Sequence, residues 1–165
     1  MPKESDPTRD TSEPPLRMQG DTTCGPVTLT MLYRDFNIPT TEQSIVNEMQ
    51  MPYEGASWKM MMDNLDQHEF ISVFHDNSSW DQLINCSYMR HPIIVCWFKE
   101  GGETPPAAHY SLLKHVNNKY IDIWDPADGE VSRYDRSYFE PHWHDEETSK
   151  AFLMAITKKK VRRII

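Results

Sequence analysis

Ile93-Ile94-Val95-Cys96-Trp97-Phe98 is an unbroken apolar run, and it divides the chain into halves of different character. A run this short, rich in β-branched and aromatic side chains, suits a central strand buried on both faces. Before it, apolar residues recur mainly at helical spacing. Val27, Leu29, Met31, Leu32 and Phe36 predict a buried helix that opens at Thr22-Thr23-Cys24-Gly25-Pro26 and ends at Asn37-Ile38-Pro39. A threonine hydroxyl is available to cap it, and proline is tolerated in a first turn. Thr40 or Thr41, followed by Glu42 and Gln43, resembles a capping box and predicts a second helix to about residue 49. Trp58, Met61, Met62 and Leu65 predict a third over 57–67, with the methionines as adaptable core filler. A short strand over 70–74 and a helix from 80 to about 89, capped by Ser78-Ser79, complete this half.

After the apolar run the chain reads as sheet. Strands are predicted over 108–116 and 120–124, joined by Asn117-Asn118, a dipeptide suited to a tight hairpin turn. Residues 125–129, Asp-Pro-Ala-Asp-Gly, form a second turn. Residues 131–134 extend the sheet, 137–143 form a short helix, and 151–156 the last strand. Helices followed by sheet give an α+β class.

At 165 residues and 38% hydrophobic content the chain supports one core and one domain. That domain is expected over 16–157. Residues 1–15 carry four prolines and almost no apolar side chain, so they read as a disordered arm. Residues 158–165 carry five positive charges and read as a solvated basic tail, with partner docking as the alternative. The net charge is −8, which leaves −13 before that tail and argues against a general nucleic-acid binder. Cys24, Cys86 and Cys96 form no CxxC pair and suggest neither a disulfide framework nor a zinc site. No secretory signal or membrane-length apolar segment is visible, so a cytoplasmic location is expected, or export without a classical signal peptide.

Cys24 is the strongest candidate for chemistry. A thiolate attacks a carbonyl, and both a helix N-terminus and an imidazolium favour the thiolate. Gly25 is expected to leave space beside the sulfur for a substrate backbone. The Cys24 N–H is one oxyanion donor, and the side-chain amide of Gln19, five residues upstream, is a candidate second. His109 begins one strand and Asp125 ends its hairpin partner, so the two can face each other, the carboxylate fixing the imidazole tautomer. His115 is expected on the same strand face as His109, but too far along to share its role. Cys96, inside the apolar strand, is expected to be an inert thiol. His142, His144 and Asp145 are too few for a metal site and read as a polar surface turn.

The segment Gln19-Gly20-Asp21-Thr22-Thr23-Cys24-Gly25-Pro26 is similar to the glutamine, aspartate and Cys-Gly-Pro signature of the double-glycine leader peptidases, which process bacteriocins and form a branch of the papain-like cysteine peptidases. His109-Tyr110 resembles that family's histidine-plus-aromatic strand start, and Asp125-Pro126 its turn after a strand. Phe139 with Trp143 is similar to its closing aromatic pair, and the resemblance covers roughly 16–156. It implies a papain-like fold in which Cys24 attacks, His109 shuttles the proton, Asp125 orients His109, and Gln19 with the Cys24 N–H holds the oxyanion. The expected substrate is a protein or peptide, and no cofactor or metal is required. The family's leader peptidases are fused to a membrane transporter that is not seen here, so cleavage after a Gly-Gly leader is not carried over.

The same residues can hydrolyse a peptide or isopeptide bond, deamidate a glutamine, or transfer an acyl group to an amine, since all pass through a thioester. Peptide or isopeptide hydrolysis is the leading expectation. A deamidase or acyl transferase effector, and an inactive peptide-binding module on the same fold, are the rivals.

Overall fold

The computed structural model describes residues 23–52, 55–99 and 108–159. The 1–15 arm, Gln19 and residues 160–165 of the basic tail lie outside the described residues. The chain runs α1 (Cys24–Asp35), α2 (Glu42–Met49), α3 (Trp58–Gln67), β1 (Phe70–His75), α4 (Trp80–Ser87), β2 (Ile93–Phe98), β3 (Ala108–Val116), β4 (Tyr120–Asp125), β5 (Glu130–Asp135), α5 (Arg136–His142) and β6 (Phe152–Thr157). The class is α+β.

Local chemistry explains the helix boundaries. Asn37 takes a left-handed conformation (φ 57°) just past α1, where asparagine is tolerated, and the Ile38 N–H donates back to the Tyr33 carbonyl. Pro39 follows. Thr41 caps α2 in a reciprocal box, but its partner is Ser44 rather than an acidic or amide side chain. Ser57 and Ser79 cap α3 and α4 through their hydroxyls. Thr23 precedes α1 without a side-chain capping bond, contrary to expectation.

The sheet has the order β1-β6-β2-β3-β4-β5, and its neighbouring strands pair antiparallel. The last strand, β6, enters between β1 and β2, with Met154 opposite both Val73 and Ile93. Alternation along β2 sorts its side chains to two buried faces. Ile94 and Cys96 pack with α1, α2 and α3 around Leu29, Leu32, Ile45 and Leu65. Ile93, Val95 and Trp97 pack with Trp80, Phe139 and Trp143 on the other face. The apolar run is therefore a central strand covered on both sides.

The buried indoles of Trp80, Trp97 and Trp143 have hydrogen-bond partners, as polar groups in a dry interior require. The indole N–H of Trp80 donates to the Asn117 carbonyl (2.8 Å), that of Trp97 to Ser111 Oγ (3.1 Å), and that of Trp143 to the Ala151 carbonyl (2.9 Å). Tyr33 donates to Asn64, whose amide donates to Glu48, which also pairs with His68, so one chain of bonds ties the three N-terminal helices together.

The β3–β4 hairpin turns where expected. Asn117 Oδ1 accepts the backbone N–H groups of Lys119 and Tyr120, an arrangement in which the side chain takes the place of a backbone carbonyl. A register shift between Leu113 and His115 was not anticipated. Leu113 and Val116 both pack on the Trp97 face, so the extra residue turns His115 to the side opposite Leu113 and breaks its expected alignment with His109. His115 instead stands against Tyr120.

Leu153 is fully buried on β6, the strand that joins β1 to the rest of the sheet. Leu153→Ala should reduce the free energy of unfolding by about 2–5 kcal/mol, read as a lower urea midpoint at unchanged slope.

Candidate active site

Cys24 opens α1, and the first turn is shaped by its neighbours. Pro26 has no N–H, and the Val27 N–H closes the first helical bond onto the Thr23 carbonyl (3.0 Å). Donors of that turn not used in this way come from Cys24 and Gly25. The Thr28 hydroxyl donates to the Cys24 carbonyl (2.7 Å) and fixes the turn from below.

His109 lies near the start of β3, opposite Trp97 of β2, and its ring meets the indole edge-on. Asp125 ends β4, and the register Leu112 to Trp124 brings these strand ends side by side. The His109 Nε2–H donates to Asp125 Oδ1 at 2.5 Å. The other ring nitrogen, Nδ1, takes no part in that bond, and Cys24 lies near enough to act on the ring electrostatically. Imidazole and carboxylate are bonded across β3 and β4, and the Cys24 thiol of α1 is near enough to influence the ring.

Asp125 has no solvent exposure, and its carboxylate is met on each oxygen. Oδ1 also accepts the Ala127 N–H (2.9 Å), while Oδ2 accepts the ammonium of Lys99 (2.6 Å). Gly129, at φ 72°, closes the turn with its N–H on the Asp125 carbonyl. Burial alone would raise the Asp125 pKa, but His109, Lys99 and the Ala127 N–H outweigh it and hold the carboxyl well below its usual range. Burial would lower the His109 pKa; the bond to Asp125 and the nearby Cys24 overcome this and push it up to about 9. A carboxylate and a high-pKa imidazole beside a thiol form an arrangement suited to nucleophilic thiol chemistry.

A profile of the Peptidase C39 family matches residues 13–152. The chain belongs to the Peptidase C39 family. It is accordingly a cysteine-dependent hydrolase. Solved structures agree on the fold. The peptidase domain of Streptococcus ComA, a bifunctional ABC transporter of a quorum-sensing pathway, superposes with a TM-score of 0.71 at 15% identity, over 87% of this chain and 97% of its own. A double-glycine-motif protease from an AMS/PCAT transporter, bound to its leader peptide, gives 0.66 at 15% identity over 86% and 89%. A C39-like peptidase from Bacillus anthracis gives 0.65 at 13% over 89% and 96%. No curated protein matches the chain in sequence. The shared architecture is the papain-like fold.

Within this C39 domain, Cys24, His109 and Asp125 come together, whereas Gln19 lies outside the described residues. Gly25 has a different role from the expected one. A Cβ there would lie 3.0 Å from both Ala56 Cβ and Met61 Sδ and 3.5 Å from the Tyr110 ring, so glycine admits neighbouring structure, not open space. Tyr110 itself is anchored by its hydroxyl to the Ala56 carbonyl (2.9 Å) and by its ring against Trp58. Cys96 is buried, and burial together with Asp145 pushes its pKa well up, as expected of an inert thiol. Burial also raises the Cys86 thiol.

His142 Nδ1 contacts the Tyr138 carbonyl, and Asp145 accepts from Trp58 and Thr148, so these residues have partners of their own. No cluster of three or more metal-ligating side chains occurs among the described residues. Nor is any helix long and apolar enough to cross a membrane. The first residues of the basic tail are tied down, Lys158 pairing with Asp66 and Lys159 with Glu69.

The site residue that sequence reasoning missed is Lys99. It directly follows the apolar run, where a lysine reads as an ordinary solvated strand end. Only the β2–β3–β4 pairing reveals that its ammonium reaches Asp125.

Two measurements follow from this geometry. Gly25→Val should weaken the fold by about 1–3 kcal/mol through overpacking against Ala56 and Met61, read by urea unfolding. For His109, a folded pKa of about 9 against 6.5 contributes stability that is complete below the lower value and lost as pH rises through the higher. The thermal midpoint of the wild type should therefore fall between these pH values, and His109→Gln should flatten that fall.

Proposed function

We propose that this hydrolase cleaves a peptide or isopeptide bond through a thioester, with Cys24 as nucleophile, His109 as proton carrier, Asp125 as its orienting partner, and Gln19 with the Cys24 N–H as oxyanion donors. The observation that carries this reading is the short bond from His109 to the fully buried Asp125, with Cys24 close enough to act on the same ring.

The Cys24 thiolate attacks the substrate carbonyl carbon, and the oxygen takes up the electron pair as an oxyanion at the α1 N-terminus. Collapse of the tetrahedral species breaks the C–N bond, and the His109 imidazolium gives its proton to the departing amine. The neutral imidazole then takes a proton from water, whose oxygen attacks the thioester. Cys24 leaves as thiolate, His109 is again protonated, and the acid product is released. Asp125 stays ionised throughout and holds the imidazole by its Nε2–H, keeping Nδ1 toward the sulfur.

A peptide is the substrate class best supported, since the AMS/PCAT relative was captured with a leader peptide. The three cysteines are free thiols, which fits work in the reducing cytoplasm.

The test is mass spectrometry of candidate peptides and proteins incubated with the enzyme. New termini are expected with wild type and none with Cys24→Ala. Asp125→Ala should leave residual turnover. Gln19→Ala should lower kcat/KM by an amount equivalent to about 2–4 kcal/mol, mainly in kcat. A gain of about 1 Da without chain cleavage would mark deamidation instead, and wild-type inertness with slow, equal alkylation of all three cysteines would mark a binding module.

A further inference from the structure

Asp125 is a fully buried anion with two cationic neighbours, one for each oxygen. His109 holds Oδ1 at 2.5 Å and Lys99 holds Oδ2 at 2.6 Å. We propose that Lys99 is a positioning residue of the hydrolase, fixing the Asp125 carboxylate from behind and sharing its charge so that the His109 imidazolium remains able to give up its proton. This inference rests on the reading of Cys24, His109 and Asp125 as the reacting set.

Charge balance is the first argument. With the thiolate and imidazolium formed, Cys24, His109 and Asp125 together carry one net negative charge in a largely buried region. The Lys99 ammonium brings the sum to zero, which matters where solvent cannot screen. Geometry is the second. A carboxylate held at one oxygen only can rotate about its Cβ–Cγ bond, whereas bonds to both oxygens from opposite sides fix its plane. Because the Ala127 N–H shares Oδ1 with His109, Oδ2 depends on Lys99 for its recorded bond.

The third argument concerns proton transfer. Asp125 alone would stabilise the imidazolium strongly and make it a poor acid toward the departing amine. A cation on the far oxygen draws part of that field away, moving the imidazole toward the range in which it can both accept and donate. Among the described residues, the titratable groups around this set are Cys24 from α1, Lys99 just after β2, Asp125, Asp128 in the following turn, and Tyr134 from β5. Burial raises the Tyr134 pKa, so it faces Lys99 as a neutral phenol and supplies no competing charge near neutral pH. Asp128 acts on Lys99 in the same direction as Asp125, favouring the charged ammonium. Burial works against that ammonium, but the bond to Asp125 leads the opposing effects and the Lys99 pKa rises above its usual value. Lys99 therefore stays charged wherever the enzyme works.

A merely structural lysine and a charge-sharing one predict opposite behaviour of His109. Loss of a structural support would loosen the His109 contact with Asp125 and lower the imidazole pKa. Loss of a charge-sharing cation leaves a more concentrated anion beside the imidazolium and raises it.

The experiment is a titration of the His109 ring nitrogens by NMR on protein with isotope-labelled histidine, for wild type, Lys99→Met, Lys99→Gln and Lys99→Arg. Iodoacetamide labelling of Cys24 is followed in parallel. Lys99→Met should shift the His109 midpoint upward by about one pH unit. Lys99→Gln, which keeps a donor for Oδ2 without charge, should also shift it upward and guards against a folding defect in the methionine variant. Lys99→Arg should return it to the wild-type value. An unchanged or lowered midpoint in both uncharged variants overturns the role given to Lys99 while leaving the triad in place. If wild-type Cys24 labels no faster than Cys86 and Cys96, and His109→Ala leaves its rate unchanged, the triad itself fails and the Lys99 role falls with it.

Discussion

A carboxylate removed from water costs several kcal/mol unless its lone pairs are met by strong donors. Asp125 imposes that demand on the fold. Meeting it takes the end of β2 for Lys99, the start of β3 for His109, and the turn after β4 for the Ala127 N–H. Each donor depends on strand register, because a one-residue slip in an antiparallel pair turns a side chain to the opposite face. The Asn117 turn sets the β3–β4 register from one end, and the Gly129 turn fixes the chain beyond β4 at the other. The irregularity at Leu113 and His115 lies between the Asn117 turn and the site, so the Leu112 to Trp124 pairing near the reacting residues is regular.

The two buried faces of the sheet serve the site differently. One face packs α1 against β3, which brings the helix start to the strand start and so brings Cys24 to His109. Here the absence of a side chain at Gly25 counts, since Ala56, Met61 and Tyr110 fill the place a Cβ would need. The other face, rich in tryptophan and phenylalanine, backs the strands that carry His109 and Asp125. Trp97 spans both functions by packing in that cluster while its ring edge meets His109 and its N–H is bound to Ser111. Cys24 and Cys96 show what position does to one residue type. Cys24 caps a cluster at its edge and meets an imidazole, while Cys96 lies within the cluster and meets an aspartate that disfavours its thiolate.

Much of this was legible in the sequence because its signals are local. An apolar run flanked by turn formers identifies a buried strand, serines before helical periodicity identify caps, and Asp-Pro-Ala-Asp-Gly identifies a turn. Cys24, His109 and Asp125 fall at element ends, and element ends are what such punctuation marks. The parts that escaped are products of pairing over distance. Nothing in residues 152–157 says that they enter between β1 and β2. A β-bulge adds one ordinary residue to a strand, so the turn of His115 to the other face leaves no mark in composition. Ser44 completed the α2 box because a short hydroxyl reaches the N-cap, although the pattern favours longer acids and amides there. Lys99 escaped for the same reason as β6, since its partner lies 26 residues away in the chain.

In the proposed mechanism one imidazole serves two opposed demands. Forming the thiolate requires a ring that holds a proton well, and releasing the amine requires a ring that gives it up. A lone carboxylate satisfies the first demand at the expense of the second. A carboxylate shared between the ring and a second cation lies between those limits, and its position is adjustable by the distance and exposure of that cation. Lys99 is well placed for such adjustment. Its side chain is 30% exposed, at the margin of the protein, whereas Asp125 is completely covered. The outer charge is therefore open to solvent on one side, while the inner bond between Asp125 and His109 is closed off from it.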